Sequence, residues 1–497
     1  MYLLGYDVGS SSIKATLLDA ETGTVVSTAT VPEKELEIIA IKPGWAEQNP
    51  HIWWENVGLA TRYILSQARV APGDIHAIGI SYQMHGLVIV DRNYRVLRPS
   101  IIWCDSRAVK YGDQLFHEIG QKKCLEHLLN SPGNFTASKL KWVKENEPDI
   151  FAQIHKAMLP GDYIAMKMTG EIKTTPSGLS EGILWDFKNY ETSRLILDHY
   201  NISPDVIPEV ISTFSVQGEI TREAAKELGL KPGIKVAYRA GDQPNNAFSL
   251  KVLNPGEIAA TAGTSGVVYG VTDIPTYDMK SRVNTFAHVN YSHDNPRYGV
   301  LLCVNGTGSL NRWLKHNCVH DCMSYDHMNE LAMQAPVGSE GLVIIPYGNG
   351  AERTLQNADI AASIHGLQFN IHDRRHFLRA AQEGIIFAFN YGLEILREIG
   401  VSIATIRAGN ANMFLSPLFR EVFATVTDTV IELYNTDGSQ GAARGAGIGA
   451  GVYSTPQEAF VGLQKINAIE PRKELNRTYK EAFERWVAVL TAQMGKV

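Results

Sequence analysis

Asp7, Gly9, Ser10, Ser11 and Ser12 lie between two apolar runs at the start of the chain. A glycine lets backbone approach a ligand closely, and consecutive amides over Ser10 to Ser12 can converge on an anion. Asp7, at the end of the first run, could hold a hydrated Mg2+ that neutralises a polyphosphate. The same residues would also make an ordinary β-hairpin with a serine-rich turn, and motifs this short arise by chance. An echo follows in the second half, where Thr261, Ala262, Gly263, Thr264, Ser265 and Gly266 separate two further apolar runs. Two such turns, one near the start of each half, suggest duplicated domains whose phosphate-gripping loops face across a closing cleft.

Other stations offer groups for a hydroxyl-bearing ligand. Asp242 follows a strand expected over 234–238, and Pro244 suits the first turn of a helix behind it. Asp242 is therefore expected as a helix N-cap, its ionised form favoured by the helix N-terminus. That is the state a proton acceptor needs, although a plain capping role would look the same. Gln83, Met84, His85 and Gly86 close a buried-type strand over 75–81. His85 can exchange a hydrogen bond with a hydroxyl and Met84 can form an adaptable wall, a satisfied core histidine being the alternative. Trp103 could stack on a sugar face, while Asp105 and Arg107 could bind hydroxyls or each other. Gly308 precedes a helix carrying Arg312 and Trp313, and the small-residue turn from Ala408 to Asn412 could admit adenine or ribose.

Two patterns are set aside. His316, Cys318, His320 and Cys322 alternate, but the separated second pair of a zinc site is missing. Gly445, Gly447 and Ala450 have dinucleotide-fingerprint spacing, yet no strand clearly feeds them, so they are expected to pack a helix tightly on a neighbour.

The elements that must position these groups follow from periodicity. Three consecutive strands, the third ending at Pro32, make the first sheet begin antiparallel. Trp53, Val57, Ala60 and Ile64 mark a helix over 52–68, and Phe377 to Leu393 mark a core helix over 374–400. The stretch 150–215 mixes short helices with loops and offers no chemistry. At 497 residues, two large domains are the default. The excess of 52 acidic over 46 basic residues, with no basic block, argues against nucleic acid as a partner. No run suits a membrane span or signal peptide, and 5 cysteines make no disulfide framework, so a cytoplasmic protein is expected.

With these stations in this order, the chain resembles the FGGY family of carbohydrate kinases over nearly its whole length. Asp7-Val8-Gly9-Ser10-Ser11 is similar to the family's first phosphate motif. Gly44-Trp45-Ala46-Glu47-Gln48 and Trp103-Cys104-Asp105-Ser106-Arg107 are similar to its N-terminal signatures. Gly241-Asp242-Gln243 resembles its catalytic-base segment, and Gly263-Thr264-Ser265-Gly266 its second phosphate loop. The resemblance implies an α/β fold of two actin-like, ribonuclease-H-like domains, 1–240 and 241–497, with an active site in the cleft between them. It implies transfer of the γ-phosphoryl group of MgATP to a ketopentose hydroxyl, D-xylulose foremost. The alternatives are L-fuculose, L-ribulose or gluconate as substrate, or a non-catalytic sugar-responsive regulator. Asp242 is the implied base, and Asp7 the implied Mg2+ positioner. Met84, His85, Asp105, Asp242 and Gln243 are the implied sugar ligands. Gly9, Ser10, Ser11, Ser12, Thr264, Ser265, Gly308, Arg312, Gly409 and Asn412 are the implied ATP contacts. The expected partners are small molecules, with neither nucleic acid nor membrane, and a homodimer is the assembly considered.

Overall fold

The computed structural model describes residues 1–319 and 322–495. Near-continuous apolar runs, buried on both faces, start its first sheet. β1 (Tyr2–Val8) and β2 (Ile13–Asp19) pair antiparallel across the Gly9–Ser12 turn, and β3 (Val25–Val31) adds beyond β2. Helix α1 (Pro50–Ala68) starts at Asn49, whose side chain accepts from the His51 amide, and buries Trp53, Val57, Ala60 and Ile64 completely. β4 (Ile75–Tyr82) pairs parallel with β1. A long insertion with its own apolar core follows, holding α2 (Thr136–Asn146) and α3 (Pro176–Glu181). β5 (Phe214–Glu219) and β6 (Lys235–Gly241) complete the order β5-β6-β4-β1-β2-β3.

Helix α4 (Asp242–Ser249) leads to the second sheet. Its strands are β7 (Glu257–Ala262), β8 (Gly266–Thr272), β9 (Asn284–Ala287), β10 (Tyr298–Val304), β11 (Thr405–Gly409), β12 (Ile431–Tyr434) and β13 (Lys465–Ile469). Their order is β9-β10-β8-β7-β11-β12-β13. In both sheets three antiparallel strands lie beside two strands parallel to the first of them. This is the actin-like, ribonuclease-H-like order, present twice. Helix α5 (Gly308–Asn317) follows β10, and α6 (Arg374–Glu398) buries Ile385, Phe389 and Leu393 in the second core. α7 (Pro417–Thr427) comes between β11 and β12.

Helix α8 (Gly438–Gly449) does not stay with the sheet that delivers it. It lies across β1, β4 and β6 of the first sheet. The approach is backbone to backbone. A Cβ at Gly5 would stand 2.0 Å from the Ser439 carbonyl oxygen, and one at Gly79 would stand 1.9 Å from that of Ala442. Gly449 meets the Ala237 carbonyl in the same way, while Gly445 packs on the Tyr238 ring and Gly447 on the Tyr453 ring and Leu3. The fingerprint glycines thus pack a helix, as expected, although β12 does feed that helix through residues 435–437. The Asn245 amide of α4 donates to the Gly438 carbonyl at 2.8 Å, and Ser249 Oγ to that of Asp437 at 2.7 Å. The chain closes with α9 (Asn476–Met494), whose Trp486 is buried in the second core. Among the described residues no helix is long and apolar enough to cross a membrane.

Candidate active site

β1, β4 and β6 are parallel neighbours that end level, Val8 pairing with Tyr82 and Tyr82 with Gly241. The next residues, Gly9, Gln83 and Asp242, therefore leave from one edge, the side where parallel strands place ligands. Asp7 lies beside Ser81, whose Oγ donates to Asp7 Oδ1 at 2.9 Å. A Cβ at residue 438 would stand 2.5 Å from Asp7 Oδ2, so Gly438 leaves that oxygen room. Burial pushes the Asp7 carboxyl above its usual range and Asp437 adds to this, while Ser81 and Lys14 oppose it.

The turn after Asp7 faces outward through its amides. The Ser10 carbonyl accepts from Gln48 Nε2 at 2.7 Å, and the Ser11 carbonyl from the Leu36 amide at 2.8 Å. A trans peptide points its N–H opposite to its C=O, so the amides of Ser11 and Ser12 turn away from those protein donors. The Gly9 amide donates to the Ser12 carbonyl at 3.0 Å and closes the turn. Trp103, a candidate sugar platform, instead donates from Nε1 to Ser10 Oγ at 3.3 Å.

Asp242 is the first residue of α4 and Gly241 is its N-cap, which corrects the capping expectation. Its ionisation differs as well. Burial and the negative charge of Asp7 push the carboxyl up to about 7, and the hydrogen bonds from Gln243 offset only part of that. The helix N-terminus loses to burial and like charge.

Met84 and His85 come off β4 beside it. His85 sits in the left-handed region at φ 61°, a costly conformation for a non-glycine residue that its surroundings must impose. Buried Lys139 on α2 donates to the His85 carbonyl at 2.7 Å and to that of Ile102 at 3.0 Å. Phe135 and Phe286 flank the imidazole edge-on and tilted. Burial and the nearby Lys139 charge push His85 down to about 3, so the ring is neutral. His85 Nδ1 lies 2.8 Å from the Glu181 carbonyl, an acceptor only, so Nδ1 carries the hydrogen and Nε2 is an acceptor.

Asp105 is not available to a sugar in this arrangement. It is fully buried, and both oxygens are taken: Ala46 N donates at 2.6 Å, Arg107 N at 2.9 Å and Arg107 Nη2 at 2.6 Å. Arg107 also reaches Glu47 at 2.6 Å and lies 3.6 Å over the Trp45 ring. Of the two readings of Asp105 and Arg107, they bind each other.

The second turn echoes the first, with two consecutive carbonyls held by protein donors. The Gly263 carbonyl accepts from Gly308 N at 2.9 Å and the Thr264 carbonyl from Ser309 N at 3.0 Å, which turns the amides of Thr264 and Ser265 the other way. The Gly308 amide is thereby occupied. Its contribution is the close approach, because a Cβ there would stand 2.4 Å from the Gly263 carbonyl oxygen. Beside this turn opens a cavity of about 630 Å³ lined by Thr264, Gly308, Arg312 and Asn412. Trp313, half exposed on α5, forms part of its wall. Ser265 turns instead toward the Cys303 thiol, and Gly409 ends β11 beside Thr436, neither lining that cavity. Among the described residues no group of three or more His, Cys, Asp or Glu side chains gathers as a protein-only metal cage, and His320 lies outside them.

The N-terminal domain of the FGGY family of carbohydrate kinases matches residues 2–249, and its C-terminal domain residues 258–453. The chain belongs to this family. It is 30% identical to the xylulose kinase of Bacillus subtilis (strain 168), over 99% of this chain and 97% of that protein. It is also 30% identical to the xylulose kinase of Haemophilus influenzae, over 99% of each chain. A crystal structure of a xyloylose kinase from Brucella ovis superposes with a TM-score of 0.89 at 28% identity, covering 100% of both chains.

In this carbohydrate kinase several residues at the edge of β1, β4 and β6 escaped the sequence reading. Lys139, Glu181, Asp437 and Gly438 come from an insertion and from a helix of the other half, with no motif to mark them. In the second half, Glu352 beside the end of β10 is also buried, accepts from Asn305 N at 2.9 Å, and burial pushes it up to about 7.

Proposed function

We propose that this kinase transfers the γ-phosphoryl group of ATP to D-xylulose, giving D-xylulose 5-phosphate. The observation that carries the reading is the convergence of Met84, His85, Asp242 and Gln243 on the strand edge that also bears Asp7 and the Gly9–Ser12 turn. Full-length similarity to xylulose kinases supports the choice of sugar.

His85 Nε2 accepts a hydrogen bond from a sugar hydroxyl, and Met84 packs on the sugar's apolar edge. Asp242 orients the reacting hydroxyl and takes its proton. A carboxyl poised at about 7 suits that task, because a base works best when its pKa lies near the operating pH. In a loose phosphoryl-transfer transition state, placing the hydroxyl counts as much as basicity. The outward amides of Ser11, Ser12, Thr264 and Ser265 hold phosphate oxygens from both sides. Thr264, Arg312, Trp313 and Asn412 hold the adenosine end, with Gly308 and Gly409 giving close-packed backbone behind it. The donor set also fits Mg2+: Asp7 is a hard oxygen ligand whose Oδ2 has room beside Gly438. Bound there, the ion would neutralise charge on the phosphates. The halves 1–240 and 241–497 act as the two moving domains, joined through α4 and α8. The reading places the reaction in the cytoplasm, where the chain can work alone or as a homodimer.

A coupled ADP-release assay over ketoses, polyols and gluconate tests this. The highest kcat/KM is expected with D-xylulose. Turnover confined to L-fuculose, L-ribulose or gluconate would overturn the choice of sugar. No sugar-dependent ADP release would favour the regulator.

A further inference from the structure

Glu181 ends α3, and its two ends reach the two groups between which the sugar is proposed to lie. Its backbone carbonyl is the partner of His85 Nδ1, at 2.8 Å. Its carboxyl lies behind the first turn of α4, where a Cβ at Gly241 would stand 2.6 Å from Glu181 Oε2 and 2.6 Å from Met84 Cγ. The side chain is buried, with 1% of the residue exposed. Neither carboxyl oxygen has a hydrogen-bond partner of good geometry among the described residues.

We propose that Glu181 is a positioning residue of the kinase reaction: one residue fixes both the His85 imidazole and the Gly241–Asp242 peptide, and so sets the span that the sugar must bridge. The proposal rests on the sugar-kinase reading above. A carboxylate buried this deeply is costly, which favours its neutral form. Burial drives it well above the usual carboxylate range and the charges of Asp242 and Asp162 add to this, with the Tyr82 hydroxyl and Lys139 opposing. A neutral carboxyl can press on the Asp242 segment without repelling the ionised base. Gly241 completes the contact, since any side chain there would displace the acid or Met84.

Three variants test the proposal, each assayed with the sugar that the wild type turns over fastest. Glu181→Ala removes the contact and is expected to raise the sugar KM by about ten-fold or more, a loss typical of a buried polar contact, with the ATP KM within about two-fold. Glu181→Gln keeps the length and neutrality of the side chain and is expected to stay within about three-fold of wild type. Glu181→Asp keeps the acid but withdraws it by one methylene, and is expected to resemble alanine. If the alanine variant does not fold, the comparison of glutamine with aspartate decides. A purely structural role would lower thermal stability and leave the sugar KM of the folded enzyme unchanged. Sugar KM values within about two-fold of wild type for Ala and Asp would overturn the proposal. So would an ATP KM that rises in step, or a Gln variant no better than Ala. Failure of the D-xylulose assignment would appear in the wild-type sugar panel, and failure of the Glu181 role only in the variants.

Discussion

Replacing Asp242 with alanine or asparagine is expected to cut sugar-dependent ADP release by about 10²–10⁴-fold, the usual worth of a positioned general base. That corresponds to about 3–5.5 kcal/mol of barrier. Retained turnover would remove Asp242 from the base role. The pH behaviour separates loss of chemistry from loss of fold. The wild-type carboxyl must be ionised to accept a proton, so kcat/KM is expected to climb through about 7 and then level. Stability runs in the opposite direction. With its folded pKa raised to about 7, Asp242 binds more proton in the folded state than in the unfolded one between its ordinary value and that point. Folding stability contributed by this group is therefore present at low pH and is lost as pH rises through that window. Asparagine cannot ionise and escapes the loss. At about pH 8 its melting temperature is expected to equal or exceed that of wild type, even though activity has collapsed. A clear drop in melting temperature at that pH would mean that Asp242 holds the fold together.

The second large effect is structural. Gly79→Ala places a methyl group 1.9 Å from the Ala442 carbonyl oxygen. The clash is with helix backbone, so no side chain can rotate away and α8 must move off β4. Overpacking of this kind costs about 1–3 kcal/mol and occasionally more, and the upper end is expected here. For a domain of this size that lowers the melting temperature by about 6–12 °C. The displaced helix begins at Gly438, against Asp7, so the surviving folded enzyme is also expected to show a raised ATP KM. Gly73→Ala is the control: its added Cβ would meet only the Lys231 side chain, at 3.6 Å. A melting temperature for Gly79→Ala within about 2 °C of that control would show that the helix-to-sheet contact tolerates expansion.

Much of the frame was legible because it is written locally. Apolar runs on either side of the polar turns at Asp7 to Ser12 and Thr261 to Gly266 mark two hairpins whatever surrounds them. Helical spacing in α1 and α6 survives for the same reason, and glycine and proline punctuate strand and helix ends. Asp242 could be singled out because a strand, a carboxylate and a proline follow one another within a few residues. Its helix position was displaced by one residue, since the cap depends on backbone angles that no side-chain pattern records.

The sequence by itself determined the duplicated strand–turn–strand units, the carboxylate at the start of α4 and the Met84–His85 pair. These depend on neighbours a few positions away. Only the tertiary structure decided which acids are free and which are spent. Asp105 is held by Arg107 and the Ala46 amide, and Asp242 is raised by burial and by Asp7 from across the sheet edge. Glu181 and Lys139 enter the site from an insertion with no motif of its own. Helix α8 leaves the second sheet to cover the first. Ionisation and burial are set by whatever lies within a few ångströms in space, and chain proximity says little about that.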